Sequence, residues 1–111
     1  MPVASWAEAR RLLLDRLREL AELHGFQFNK ATVKNQRTLW GSCSPRNNIN
    51  LNVNLLRLPA ELRDYVILHE LVHTRHKNHS RAFWQELDQI VGSGKQFQRQ
   101  LRAYRLGQTL S

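Results

Sequence analysis

The stretch that decides the fold is Leu58-Pro59-Ala60-Glu61-Leu62-Arg63-Asp64-Tyr65-Val66-Ile67-Leu68-His69-Glu70-Leu71-Val72-His73. Pro59 suits the first turn of a helix, where its missing amide costs nothing. Leu62, Val66, Leu68-His69 and Val72-His73 then recur at helical spacing, which predicts a helix to about Thr74. Four residues make just over one helical turn, so His69 and His73 leave the same face and can grip one metal ion. Glu70 stands beside the first of them, placed to take a proton from a metal-bound water. Zinc is the expected ion, because it suits imidazole and needs no redox partner. A catalytic zinc wants three protein ligands and one open position. His79 is the preferred third ligand, reached if the chain turns back through Arg75 to Asn78. Its distance from His73 matches the metzincin pattern, although His76 stands where that pattern has glycine. His76, one turn further along an unbroken helix, and Glu86, as in His-His-Glu sites, stay open as alternatives. The bland reading, two surface histidines and a Glu in an ion pair, leaves the spacing and the nearby third ligand unexplained.

Working outward, Ser5-Trp6-Ala7-Glu8 fits a capping box. Leu12, Leu13, Leu17, Leu20 and Leu23 follow at helical spacing up to Gly25, predicting a first helix over Trp6–His24 whose stripe is core packing. Three extended segments come next: Phe26–Lys34, Thr38–Ser44, and Ile49–Asn54, which alternates apolar residues with Asn. The turn cluster Pro45-Arg46-Asn47-Asn48 closes the second, and short linkers predict a small three-stranded antiparallel meander. Beyond the metal helix, Ser80 caps a helix through Phe83, Leu87 and Ile90 that Gly92-Ser93-Gly94 ends. A basic helix over Lys95–Leu106 is last. The fold class is α+β: an amino-terminal helix, a small sheet, the zinc-binding helix and carboxy-terminal helices, a minimal zincin-like layout. The 111 residues suffice for one domain, 1–111, with one modest core.

Charge is the unusual bulk property: 17 Lys and Arg against 9 acids, a net charge of +8. No acidic residue lies between Leu23 and Ala60, a span that holds Lys30, Lys34, Arg37, Arg46 and Arg57. The same holds from Gln89 onward, around Lys95, Arg99, Arg102 and Arg105. Such fields attract polyanions, so Lys30, Lys34, Arg37 and Arg46 are candidate contacts to nucleic acid, DNA (single-stranded) or RNA. No apolar run approaches the roughly 18 residues of a membrane span. The amino terminus lacks the layout of a secretory signal, and Cys43, the single cysteine, forbids an internal disulfide. A cytoplasmic protein in a reducing compartment is expected. The oligomeric state has no signature in the sequence.

Trp40-Gly41-Ser42-Cys43-Ser44, then Ile49-Asn50-Leu51-Asn52, Asp64-Tyr65-Val66, His69-Glu70-Leu71-Val72-His73, Asn78-His79-Ser80 and Phe83-Trp84 resemble, in order and spacing, the YgjP-like metallopeptidase domain. That group looks related to the SprT-like and WLM proteases. The resemblance runs from about Arg37 to Leu87, and typical members carry a longer amino-terminal region. It implies a zinc peptidase with His69, His73 and His79 as ligands and Glu70 as base, in agreement with the residues read singly.

The expected activity is metal-assisted peptide hydrolysis, with Glu70 as proton acceptor and donor. The Asn-faced strand, with Asn50 and Asn52, is a candidate sheet edge for an extended substrate. Tyr65, His76 and Arg57 are candidates for stabilising the oxyanion or touching substrate. Phe83, Trp84 and Cys43 are read as core. A nucleic-acid-associated protease of the SprT and WLM kind leads. One alternative is a metal-dependent nucleotide (UTP-type) pyrophosphohydrolase, an activity attributed to some members of the group, with Arg75, Lys77 and Arg81 on the phosphates. The other is a basic nucleic-acid-binding module with structural zinc, a closed site in which Glu70 would have no use.

Overall fold

The computed structural model describes residues 5–104 and the backbone of 109–110. Helix α1 spans Trp6–His24, as the sequence predicts. The Ser5 hydroxyl accepts the Glu8 amide at its start, and Gly25, at φ 73°, closes it in the left-handed conformation that glycine tolerates. Its buried face is Ala9, Leu13, Leu14, Leu17, Leu20 and Ala21, while Leu23 is left in solvent.

Strands β1 (Ala31–Lys34), β2 (Leu39–Cys43) and β3 (Ile49–Asn52) join a two-residue β4 (Thr109–Leu110) in the order β1-β3-β2-β4. The expected all-antiparallel meander is corrected here. Strands β2 and β3 form the antiparallel hairpin, but β1 pairs with β3 in parallel and β4 with β2 in parallel, so the sheet is mixed. Strand β3 is inserted between its two predecessors, and is therefore central and not an edge. The physical reason lies in the 35–38 link, which crosses the end of β3. Two strand spacings are roughly 9.6 Å, within reach of four extended residues. Asn52, fully buried at that end of β3, donates its amide to the Gln36 and Leu39 carbonyls at 2.9 and 2.8 Å, satisfying backbone that a hairpin would have paired. Its Oδ1 accepts the Asn54 amide at 2.9 Å and starts a 3₁₀ turn, Val53–Arg57, where the sequence predicts more strand.

Helix α2, Ala60–Val72, is buried on every side from Tyr65 to Val72, the signature of a helix that runs through a core instead of lying on it. Helix α1, strand β2 and two further helices pack around it. Helix α3, Arg81–Val91, is capped by the Ser80 hydroxyl. Helix α4 spans Gly94–Leu101, shorter than expected; the predicted end at Leu106 lies outside the described residues. Arg16 clamps Asp64 with two hydrogen bonds, at 2.9 and 2.7 Å, tying α1 to α2.

Candidate metal centre

Helix α2 ends at Val72, two residues short of the expected Thr74, with His73 as its cap. His69 is fully buried and His73 nearly so, their rings 4.9 Å apart on one helix face. The chain then turns back. The Thr74 hydroxyl bonds the Leu71 carbonyl at 2.6 Å, and the Ser80 cap starts α3. Between them, Arg75 and His76 both grip Glu86 on α3, His76 at 2.9 Å. Arg75 also lies 4.2 Å over the Phe26 ring. Lys77 holds the opposite side through the Ser44 carbonyl, at 3.1 Å, and the Asn47 side chain. These clamps deliver His79, itself exposed, to the two helical histidines.

The Nε2 of His79 lies 3.1 Å from that of His73 and 3.4 Å from that of His69, and a ligand atom of each ring falls within 4.8 Å of the others. On its far side His73 Nδ1 faces the His76 carbonyl at 2.9 Å. A carbonyl only accepts, so Nδ1 carries the proton and Nε2 of the neutral ring turns a lone pair inward. Imidazole nitrogens this close either share a proton or hold a cation between them. Tetrahedral zinc with Zn–N bonds of about 2.0–2.1 Å separates its nitrogens by roughly 3.3–3.4 Å, close to the two separations that His79 makes, so three imidazoles gathered in this way suit such an ion. Phe83, fully buried, packs 4.9, 4.5 and 5.0 Å from the His69, His73 and His79 rings and forms an apolar floor under them. Trp84 stands 6.1 Å from the His79 ring.

Glu70 is fully buried beside β2. A Cβ at Gly41 would stand 3.1 Å from Glu70 Cγ and 3.3 Å from its Oε2, so the strand runs flush against the carboxylate only because residue 41 has no side chain. Sequence reasoning assigned Gly41 no role of its own, yet a glycine inside a strand is the ordinary mark of close backbone approach. It likewise overlooked the Phe83 floor, having read that residue as core alone.

The other candidates disperse. His76 turns to Glu86, so neither of these alternative third ligands joins the histidine group. Tyr65 is buried, stacked 5.1 Å from Phe97 and edge-on to His69 at 6.0 Å. Burial first, then the charges of Asp88 and Glu70, push its hydroxyl far above the ordinary tyrosine range, so it stays protonated. Asn50 donates to the Ser42 hydroxyl at 3.3 Å, and Asn52 is committed to the 35–38 link. The expected substrate edge on β3 is therefore corrected: both sides of that strand are paired, and its last Asn faces inward. Arg57 is exposed as the last residue of the 3₁₀ turn. Cys43 is half-buried, and burial, the largest influence, raises its thiol pKa. Lys30, Lys34, Arg37 and Arg46 are exposed along β1 and the flanking turns, with no ion pair among the described residues. Of the three cations considered for phosphate, Arg75 and Lys77 are occupied in holding the loop.

Solved structures share this fold. The structure resembles the crystal structure of the metallopeptidase zymogen of Pyrococcus abyssi abylysin, with a TM-score of 0.75 at 22% identity, over 89% of this chain and 99% of that one. It also resembles the metallopeptidase zymogen of Methanocaldococcus jannaschii jannalysin, with a TM-score of 0.70 at 22% identity, over 83% and 95% of the two chains. At that identity the likeness speaks for the fold. No curated protein matches the sequence. The family model of the YgjP-like metallopeptidase domain, however, matches residues 4–104, well beyond the segment that carries the quoted motifs. The chain thus belongs to the YgjP-like metallopeptidase family, hydrolases of peptide bonds that work with a metal ion.

Proposed function

We propose that residues 1–111 act as one zinc-dependent peptidase domain, with His69, His73 and His79 holding the ion and Glu70 as general base. The observation that carries this reading is the convergence of three imidazole nitrogens beside a buried carboxylate. When bound, zinc supplies Lewis acidity, favouring deprotonation of water and polarising the scissile carbonyl. Glu70 accepts the proton of the attacking water and returns it to the leaving amine. The β2 backbone at Gly41 packs against the Glu70 carboxylate and fixes it, while Phe83 backs the histidine rings. The His76 carbonyl holds the tautomer of His73. An extended peptide best fits the outer side of β2, the strand flush with Glu70, in exchange with Thr109–Leu110. The exposed cations Lys30, Lys34, Arg37 and Arg46, at the opposite edge and turns of the sheet, support association with nucleic acid. No observation favours the nucleotide reading.

The test is cleavage of a loosely folded protein by zinc-loaded, chelator-treated and Glu70→Gln enzyme, each with and without single-stranded DNA. Loss of a general base should lower turnover about 10²–10⁴-fold, with bound zinc retained. DNA should stimulate cleavage, and salt should weaken that stimulation steeply. Full activity in Glu70→Gln would refute the assignment.

A further inference from the structure

A cavity of about 440 Å³ opens between α3 and α4, lined by Trp84, Lys95, Gln98, Arg99 and Arg102. Its three cations fall at i, i+4 and i+7 of one chain segment and so share a helix face. All three are exposed, and among the described residues no carboxylate lines the cavity and none of the three joins an ion pair. The cavity is also held in shape. Ser93 caps α4, and the Gly94 amide donates to Asp88 Oδ1 at 2.7 Å. A Cβ on Gly94 would stand 3.0 Å from the Trp84 ring and 3.2 Å from Leu87, so α4 can close on α3 only with glycine there. That approach puts Lys95 Nζ 5.8 Å from the Trp84 ring centroid. The same indole stands 6.1 Å from the His79 ring, so one side chain is common to the cavity and the histidine cluster.

We propose that this cavity is a specificity subsite for substrate carboxylates, selecting peptides with Asp or Glu near the scissile bond. The inference rests on the peptidase reading and adds the substrate class. Guanidinium forks match a carboxylate in two hydrogen bonds, and the uncompensated positive charge leaves an acidic side chain as the favoured occupant. An indole's length from the centre corresponds to about two to four residues of extended chain at roughly 3.3 Å each. The volume suits one or two side chains. A nucleic-acid strand needs a longer basic groove with several stacking rings, whereas here a single indole is available and a lysine already overlies it.

The test compares peptides identical except for Glu, Gln or Lys placed two to four residues to either side of the cleaved bond. Wild-type enzyme should cleave the best Glu peptide about tenfold better than its Gln twin, the worth of one charge-assisted hydrogen bond. The double variant Lys95→Glu/Arg99→Glu should turn the preference toward the Lys peptide. A second arm needs no turnover: binding of labelled Glu and Gln peptides, and of a single-stranded oligonucleotide of equal charge, to Glu70→Gln protein. Here too the Glu peptide should bind about tenfold tighter, and the double variant should erase the difference. Melting curves check that the variant folds; should it not, Lys95→Gln/Arg99→Gln replaces it. Equal binding of Glu and Gln peptides overturns the proposal. So does oligonucleotide binding that the double variant abolishes while peptide preference is untouched. Selective binding without any cleavage would sink the peptidase reading and leave the subsite standing.

Discussion

Two regions furnish the three histidines, and they are built on opposite principles. Helix α2 and its cap carry His69 and His73 in an interior where residues from Tyr65 to Val72 are all buried; apolar packing fixes them. The segment from Thr74 to Ser80 carries His79 at the surface, and polar clamps to Glu86, Gly25, Ser44 and Asn47 fix it. Packing of the first kind belongs to the folding free energy of the whole chain. Clamps of the second kind act locally, so the third ligand can be lost while the fold persists.

The comparison can be broken by separating the two regions. His79→Ala should cost zinc affinity most. If about 12 kcal/mol of zinc binding divides over three ligands, losing one removes roughly 4 kcal/mol, about a thousandfold. The metal-free melting temperature should stay where it is, because the side chain is exposed. Calorimetric titration and a melting curve measure both. Leu71→Ala, in the fully buried stretch of α2, should do the reverse and cost about 3 kcal/mol of stability in a denaturant titration. Zinc affinity well below its melting point should survive. The smallest effect sharpens the comparison most. Glu86→Gln loosens the clamp on Arg75 and His76 and should weaken zinc roughly tenfold, as loss of a supporting contact does. A loss as large as that of His79→Ala would make Glu86 a ligand after all.

What the sequence disclosed follows the same division. Helix α1 could be read from Ser5 to Gly25 because its cap, its leucine spacing and its glycine stop are all local signals. The histidine pair was equally legible, since helical spacing alone puts the two on one face. The order of the strands was not. A four-residue link reads as a hairpin, and only the buried amide of Asn52, which bonds the crossing backbone, lets the chain step over β3. The Asn alternation of β3 accordingly looked like a solvent or substrate face, when one of its members faces the interior. Gly41 escaped notice because its partner, Glu70, lies 29 positions away and is brought to it only by the packing of α2 on β2. His79 lay between these extremes. Its spacing was visible, but the ion pairs and hydrogen bonds that aim it depend on α3 and on the turn at 44–47.

The most direct measurement is zinc K-edge absorption on the zinc-loaded protein and on His79→Ala. The account predicts three imidazole nitrogens at about 2.0–2.1 Å in the wild type and two in the variant. A wild-type spectrum with two imidazoles and a carboxylate, unchanged by His79→Ala, would contradict it.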